Sequence, residues 1–303
     1  MPNVVTVQKL SKSYGELKAV DGISFAVEKG EIFGLVGPNG AGKTTTWEIL
    51  EGLRHADAGV VKVAGFDVRK DRAKLREVIG VQLQATALFE KLTVREILDV
   101  FAGMYRKTMD GKKLLAIAQL EEKADEWTER LSGGQKQRLA VALSLVNDPS
   151  VVFLDEPTTG LDPQARRSLW DVISDLRNTG KTIMLTTHYM EEAERLCDRV
   201  GVMDHGHILA LDAPAQLVRQ IGERDAIEFT ANGDAVAFGA LAGVEDMKVE
   251  DGLVVLYTRE LDRTLPAVFD LARQRGIALD AFRVRNPSLE DVFLQLTGRR
   301  VRE

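Results

Sequence analysis

The chain has 303 residues, 45% of them apolar and 28% charged, with a formal net charge of −6 and a single cysteine. That length holds one large or two modest domains, each able to bury a core, and the acidic balance argues against a nucleic-acid surface, which would carry a basic stripe. One cysteine excludes an intrachain disulfide and fits a reducing cytosol; with no signal peptide and no apolar run of about 18 residues, any membrane role has to come through a partner.

From the N-terminus, Val4–Leu10 alternates apolar and polar residues and predicts a strand, followed by a turn over Ser11–Gly15 that contains Tyr14. Ile23–Val27 alternates again before the turn Glu28-Lys29-Gly30, and Gly59–Val63 adds a further strand, so the chain starts with antiparallel β structure. The apolar run Glu31–Val36 leads into Gly37-Pro38-Asn39-Gly40-Ala41-Gly42-Lys43-Thr44-Thr45, and Thr44–Leu53 reads as a helix. Strand, glycine loop and helix with G-x-x-x-x-G-K-T make a phosphate-binding P-loop in its confirming context. The glycines let backbone N–H groups turn inward, and the free N–H groups of the new helix add partial positive charge. In that chemistry Lys43 reaches the β- and γ-phosphates and the Thr44 hydroxyl ligates Mg²⁺. This is a nucleoside-triphosphate site.

Val78–Leu83 reads as a strand and runs into Gln84-Ala85-Thr86-Ala87-Leu88-Phe89. Thr93 with Glu96 three residues on is a helix start, and Ile97, Phe101, Met104 and Tyr105 share one face at helical spacing. A polar stretch, Lys107–Lys113, separates it from a second helix, Leu114–Leu120, giving an all-helical insert. Leu131-Ser132-Gly133-Gly134-Gln135 ends the insert, with Ser132 and Gln135 as a capping box before a helix over Lys136–Val146. A well-capped helix needs no ligand, yet two first-turn glycines each cost about 1 kcal/mol in helix propensity. That cost fits a backbone that something must approach closely.

Val151–Leu154 is wholly apolar, as strands inside parallel sheets are. It ends in Asp155-Glu156, just where open α/β sheets bind ligands. Asp155 suits Mg²⁺ held through water or phosphate, and Glu156 can hold the attacking water. Thr158–Asp162 reads as a turn, Pro163–Arg177 as a helix and Thr182–Thr187 as a buried strand ending in His188. Tyr189 opens a helix through Arg195, with Cys197 on its core face beside Met190, Ala193 and Leu196. Val200–Met203 and Ile208–Leu211 flank a hairpin whose His205 and His207 read as surface residues, as does His55.

The pattern changes after Pro214 and the helix to Ile221. Ala226–Thr230, a short helical Val236–Leu241, Met247–Val249, Leu253–Tyr257 after an Asp251-Gly252 turn, the helix Asp262–Gly276 and Leu279–Val284 follow in the order β-α-β-β-α-β. Leu265, Val268, Phe269 and Ala272 are expected to face inward, and Ser288–Leu296 to close the unit. The expectation is a small α+β ferredoxin-like accessory or regulatory domain over 223–303, with Phe293 and Leu296 as contacts inside it or across a dimer, after a first domain over 1–222 whose helical subdomain spans about 85–135.

Five stretches in this order resemble the ATP-binding subunit of an ATP-binding cassette (ABC) transporter: Gly37–Thr45 (Walker A), Gln84 (Q-loop), Leu131–Gln135 (signature), Val151–Glu156 (Walker B with its glutamate) and His188 (switch histidine). Leu161-Asp162 matches the D-loop, and Tyr14 the aromatic that stacks on adenine. His188–Glu194 and Leu289–Leu294 resemble drug-, antibiotic- or lipid-exporting subunits of the ABC-2 type. The likeness implies an α/β fold, a P-loop NTPase cassette core with a parallel sheet, an antiparallel β subdomain and a helical subdomain. It implies two cassettes sandwiching two ATPs, each between Walker A of one and Ser132-Gly133-Gly134-Gln135 of the other. Mg²⁺ would be held by Thr44, Gln84 and Asp155, with His188 on the γ-phosphate, Asp162 at the interface and Gln84 linking the nucleotide to a membrane subunit that docks at Leu88 and Phe89. The implied place is the cytoplasmic face of the cell membrane, reached through that permease. A soluble cassette ATPase working on another assembly, a binding module in which ATP is only structural, and an importer subunit are the rival expectations.

Overall fold

The computed structural model describes residues 2–83, 88–221, 224–232, 235–250 and 252–298. They form two compact units, one running to Pro214 and one from Ala215.

The first unit opens with two long strands, β1 (Asn3–Tyr14) and β2 (Leu17–Glu28), joined by only Gly15-Glu16. Tyr14 therefore ends a strand rather than sitting inside a longer turn. The β1 ladder carries several register shifts, and Lys9 takes a φ of 47°; these bulges break the alternation that would have marked the strand beyond Leu10. Next come β3 (Ile32–Val36), α1 (Lys43–Leu50), β4 (Ala58–Val63), β5 (Phe66–Asp67), α2 (Arg72–Val78) and β6 (Ile79–Gln82). Strands β1, β2, β4 and β5 make an antiparallel sheet in the order β2-β1-β4-β5.

The helical part contains α3 (Val94–Ala102) and α4 (Gly111–Ala118), and α5 (Gly133–Leu143) leads back to the main sheet. Thr93 caps α3 in the expected box with Glu96. Met104 and Tyr105 lie past the end of that helix, and Met104 is 65% exposed, so they do not extend its buried face. The remaining elements are β7 (Val151–Asp155), α6 (Pro163–Asn178), β8 (Thr182–Thr187), α7 (Met190–Leu196), β9 (Arg199–Asp204) and β10 (His207–Asp212). The main sheet runs β10-β9-β3-β8-β7-β6, parallel except for β10. Strands β3, β7 and β8 are buried along their whole length, which explains their unbroken apolar runs. Trp47 on α1 is 1% exposed and meets Phe153 of β7 edge-to-face at 6.2 Å, so the bulk of the indole joins the P-loop helix to the strand that carries Asp155. Cys197 is buried, and His55, His205 and His207 are at the surface.

The second unit begins with α8 (Pro214–Gln220), which starts at the division. It continues as β11 (Asp225–Ala231), a 3₁₀ helix at Ala235–Ala240, β12 (Val244–Glu250), β13 (Leu253–Thr258), α9 (Leu261–Arg275), β14 (Leu279–Arg285) and α10 (Leu289–Thr297). The antiparallel order β12-β13-β11-β14 is that of a ferredoxin-like sheet, with the first crossover reduced to the 3₁₀ helix. Asp251 of the expected hairpin turn lies outside the described residues; its neighbour Gly252 has a φ of 83°. Ile227, Phe229, Phe238, Val254, Leu256 and Val268 form the core. Phe269 does not: it is 44% exposed and leans on Phe282 at 4.9 Å, because α9 buries Thr264, Val268 and Ala272 instead. Arg285 bridges the buried carboxylates of Glu228 (2.6 Å) and Asp291 (2.9 Å), and Tyr257 donates to Asp291 at 2.6 Å. These bonds fix α10 to the sheet; Phe293 is fully buried and Leu296 is 44% exposed.

Candidate functional site

The P-loop leaves β3 at the centre of the parallel sheet and wraps the start of α1. Its three glycines are required for different reasons. A Cβ on Gly37 would stand 2.1 Å from the Met203 carbonyl oxygen, and one on Gly42 would stand 2.2 Å from that of Ala19. Gly40 meets nothing but has a φ of 82°, which only glycine adopts readily. Lys43 is 5% exposed, and its Nζ donates to the carbonyls of Gly37 at 2.7 Å and Pro38 at 3.1 Å. Burial pulls its pKa down, against the opposing charges of Glu156 and Asp155.

The carboxylates sit where β7 ends. Asp155 accepts a hydrogen bond from the Thr186 hydroxyl of β8, and burial raises its pKa despite that bond. Glu156 takes a φ of 46°, in the left-handed region. Its N–H is held by the same Thr186, at 3.0 Å to Oγ1. One Glu156 oxygen lies 3.7 Å from Lys43 Nζ; the other lies 3.2 Å from His188 Nδ1 and accepts from Thr159 Oγ1 at 3.2 Å. The His188 contact is within ion-pair reach but not aligned as a hydrogen bond. His188 is the main cause that holds the Glu156 carboxyl below its ordinary value, with burial acting against it. A non-glycine residue held at positive φ stores strain of about 1–3 kcal/mol, and such strain gathers at functional positions.

A cleft of about 660 Å³ opens beside these groups, lined by Tyr14, Lys18, Asn39, Gly40, Gly42, Lys43, Thr44, Thr45, Glu156 and others. Pro38 and Ala41 belong to the loop backbone; Ala41 is 2% exposed. Tyr14 is 42% exposed, and Arg54 and Lys12 stand 5.3 and 5.5 Å from its ring centre. A buried cation, backbone N–H groups at a helix start and a facing aromatic suit a purine nucleoside triphosphate.

Ser132, Gly133, Gly134, Gln135 and Asp162 do not line that cleft. Ser132, Gly134, Gln135 and Asp162 border a separate depression of about 250 Å³. Ser132 and Gln135 cap α5 reciprocally, at 3.3 and 2.9 Å, and Asp162 caps α6. The two signature glycines divide in role: a Cβ on Gly134 would meet that of Ala165 at 2.9 Å, whereas Gly133 faces open space. The close approach expected at the signature is thus met inside the chain at Gly134, and only Gly133 has room for an outside group. Gln84 lies outside the described residues.

A cavity of about 680 Å³ is lined by Glu51, Gln82, Leu83, Phe101, Met104 and Tyr105 among others. Phe89 is 58% exposed nearby in sequence, and Leu88 is half-buried. Sequence reasoning missed Thr186, Thr159 and Glu51. A threonine pair closing the apolar strand before His188 was a visible signal for the first; nothing local marked the others.

The parallel sheet, P-loop and terminal carboxylates define a P-loop ATPase of the cassette type. A family model described as ABC transporter matches residues 20–159, and one described as ATP-binding protein DrrA1-3-like, C-terminal domain matches residues 214–297. The chain is 43% identical to a Nod factor export ATP-binding protein I of Ralstonia nicotianae, over 99% of its own length and 95% of that protein's. It is 36% identical to the linearmycin resistance ATP-binding protein LnrL of Bacillus subtilis, over 99% of this chain and all of the other. A dimeric post-hydrolysis structure of the cassette MJ0796 bound to ADP and phosphate aligns with a TM-score of 0.62 at 27% identity, over 69% of this chain and 98% of that one. The chain belongs to the ATP-binding subunits of ABC transporters, cassettes that bind and hydrolyse ATP.

Proposed function

We propose that this chain powers an ABC-2 type exporter from the cytoplasmic face of the membrane, held there by a permease subunit. The observation that carries the catalytic reading is the meeting of Lys43 and His188 on the carboxylate of Glu156. The export reading is supported by relatives named for Nod factor export and linearmycin resistance, which the chain matches over both units. No helix among the described residues is long and apolar enough to cross a membrane.

In this reading Tyr14 stacks on the adenine, and the Gly37–Thr45 loop wraps the phosphates with Lys43 against the β and γ groups. Thr44 and Asp155 are hard oxygen donors that fit Mg²⁺, with Gln84 the third candidate; bound there, the ion would neutralise charge on the phosphates. Lys43 lets go of the carbonyls it now holds and of Glu156 as it turns to phosphate. Glu156, kept ionised by His188, then orients the attacking water and takes its proton. His188 stabilises the γ-phosphate as its bond to the β-phosphate lengthens. A second cassette presents its Ser132-Gly133-Gly134-Gln135 to the same γ-phosphate, with Asp162 at the junction, so the pair closes on ATP and loosens on ADP. The open side of Gly133 and the outward Asp162 support that arrangement. The permease would dock at Leu88 and the exposed Phe89.

Glu156→Gln tests the chemistry. It should abolish turnover, keep ATP affinity, and trap an ATP-bound dimer on size-exclusion chromatography with ATP and Mg²⁺. A variant that binds ATP yet elutes as a monomer contradicts the sandwich.

A further inference from the structure

Packed against His188 is a partly buried cluster that the reaction above leaves unused. Arg166 is in the first turn of α6, its N–H donating to the carbonyl of the cap residue Asp162 at 2.9 Å. Its guanidinium lies over the ring of Tyr189, 4.3 Å from the centroid. The Tyr189 ring in turn meets the ring of His188 at 4.1 Å, tilted by 43°. Arg166 Nε is buried without a hydrogen-bond partner, so the flat ring, rather than a bond at Nε, fixes the guanidinium plane. Glu192 is fully buried and accepts from Trp170 Nε1 at 2.8 Å. Burial pushes its carboxyl up, while Thr187, Trp170 and Thr158 and the charge of Arg166 act the other way. Arg166 thus packs on the aromatic ring that opens α7, and its charge reaches the buried Glu192 carboxylate of that helix.

We propose that Arg166 is a positioning residue for His188: through the Tyr189 ring it transmits the seating of the α6 N-terminus, where Asp162 stands, to the histidine beside Glu156. The physical reason is the unbroken stack from guanidinium to tyrosine ring to imidazole. His188 and Tyr189 form the two-residue connection between the end of β8 and the start of α7, where the Tyr189 N–H donates to Thr187 Oγ1 at 2.9 Å. The stacked guanidinium ties it to α6, so a shift of Asp162 at a cassette interface moves the imidazole with it. This rests on the assignment of His188 to the γ-phosphate.

Steady-state hydrolysis by the full chain tests it. Arg166→Ala should lower kcat by about 10-fold while KM for ATP stays within about twofold, since the P-loop is untouched. Tyr189→Phe keeps the ring and should stay near the parent rate, whereas Tyr189→Leu should match Arg166→Ala. In single-turnover assays Arg166→Ala should cause no further loss in a His188→Ala background. Four outcomes overturn the proposal: a parental kcat for Arg166→Ala, a loss that only follows the folded fraction, Tyr189→Phe as impaired as Tyr189→Leu, or a full further loss in the His188→Ala background. A parental rate for His188→Ala would remove the assignment of His188 and the proposal with it. A slow His188→Ala beside a fast Arg166→Ala removes the positioning role alone.

Discussion

Thr186 shows how much one hydroxyl can organise. Its Oγ1 donates to Asp155 and accepts the N–H of Glu156, so it holds both the carboxylate that closes β7 and the left-handed turn at Glu156. Thr186→Val keeps the shape but removes both bonds. It should lower kcat about 10- to 100-fold and cost about 1–3 kcal/mol in a urea melt; an unchanged kcat would exclude this role. Glu51 acts in the opposite sense. Burial, with Asp155 and Glu48 nearby, lifts its carboxyl from the ordinary 4.5 to about 8, and one of its oxygens has no hydrogen-bond partner. Between those values the folded chain holds a proton that the unfolded chain has released, so stability falls as pH rises through the window. Glu51→Gln removes that slope. At pH 8 the variant should be more stable, by on the order of 2 kcal/mol, with the gap closing towards pH 5; thermal melts whose separation does not change with pH would refute it.

At the scale of elements, the lesson lies in how α5 and the helical part are held. The capping box of Ser132 and Gln135 starts α5 without help from a ligand. Gly134 is there because Ala165 of α6 comes within 2.9 Å of the Cβ it lacks. Local rules predicted the helix start correctly but could not name the partner, since Ala165 is 31 residues away in sequence. Phe89 belongs to this scale too: Thr128 Oγ1 donates to its carbonyl at 2.8 Å, which fixes the backbone while the ring stays exposed. Changing Leu88 and Phe89 to Ser should therefore leave the isolated cassette folded, with basal hydrolysis within about twofold of the parent. Membrane recruitment in cells carrying the permease should fall. Recruitment at the parental level would show that docking lies elsewhere.

For the whole molecule, every residue assigned to the nucleotide lies before Pro214, and the second unit has its own sheet, core and buried Arg285 clamp. Among the described residues no cluster of three or more His, Cys, Asp or Glu side chains could hold a metal. We propose that the second unit is an assembly or regulatory module of the cassette pair. Ending the chain after Gly222 should leave ATP affinity within about threefold by isothermal titration, and weaken ATP-dependent dimerisation or transport coupling. Loss of ATP binding in a fragment that still melts cooperatively would move the boundary or the role.

The sequence by itself determined the parts that depend on near neighbours. The P-loop, the capped α5, the carboxylates closing an apolar strand and the β-α-β-β-α-β order of the second unit each lie within a short window, where backbone geometry and side-chain period act directly. Tertiary structure decided what depends on distant partners. It set Phe269 outside the core, because the face of α9 turns Val268 and Ala272 to the sheet, and it carried β1 on to Tyr14 through bulges that only its pairing with β2 and β4 supports. It brought Lys43, Glu156 and His188 together from three strand ends of one sheet. Sequence named each of these residues; only parallel packing of β3, β7 and β8 could set Lys43 and His188 each within 4 Å of the Glu156 carboxylate.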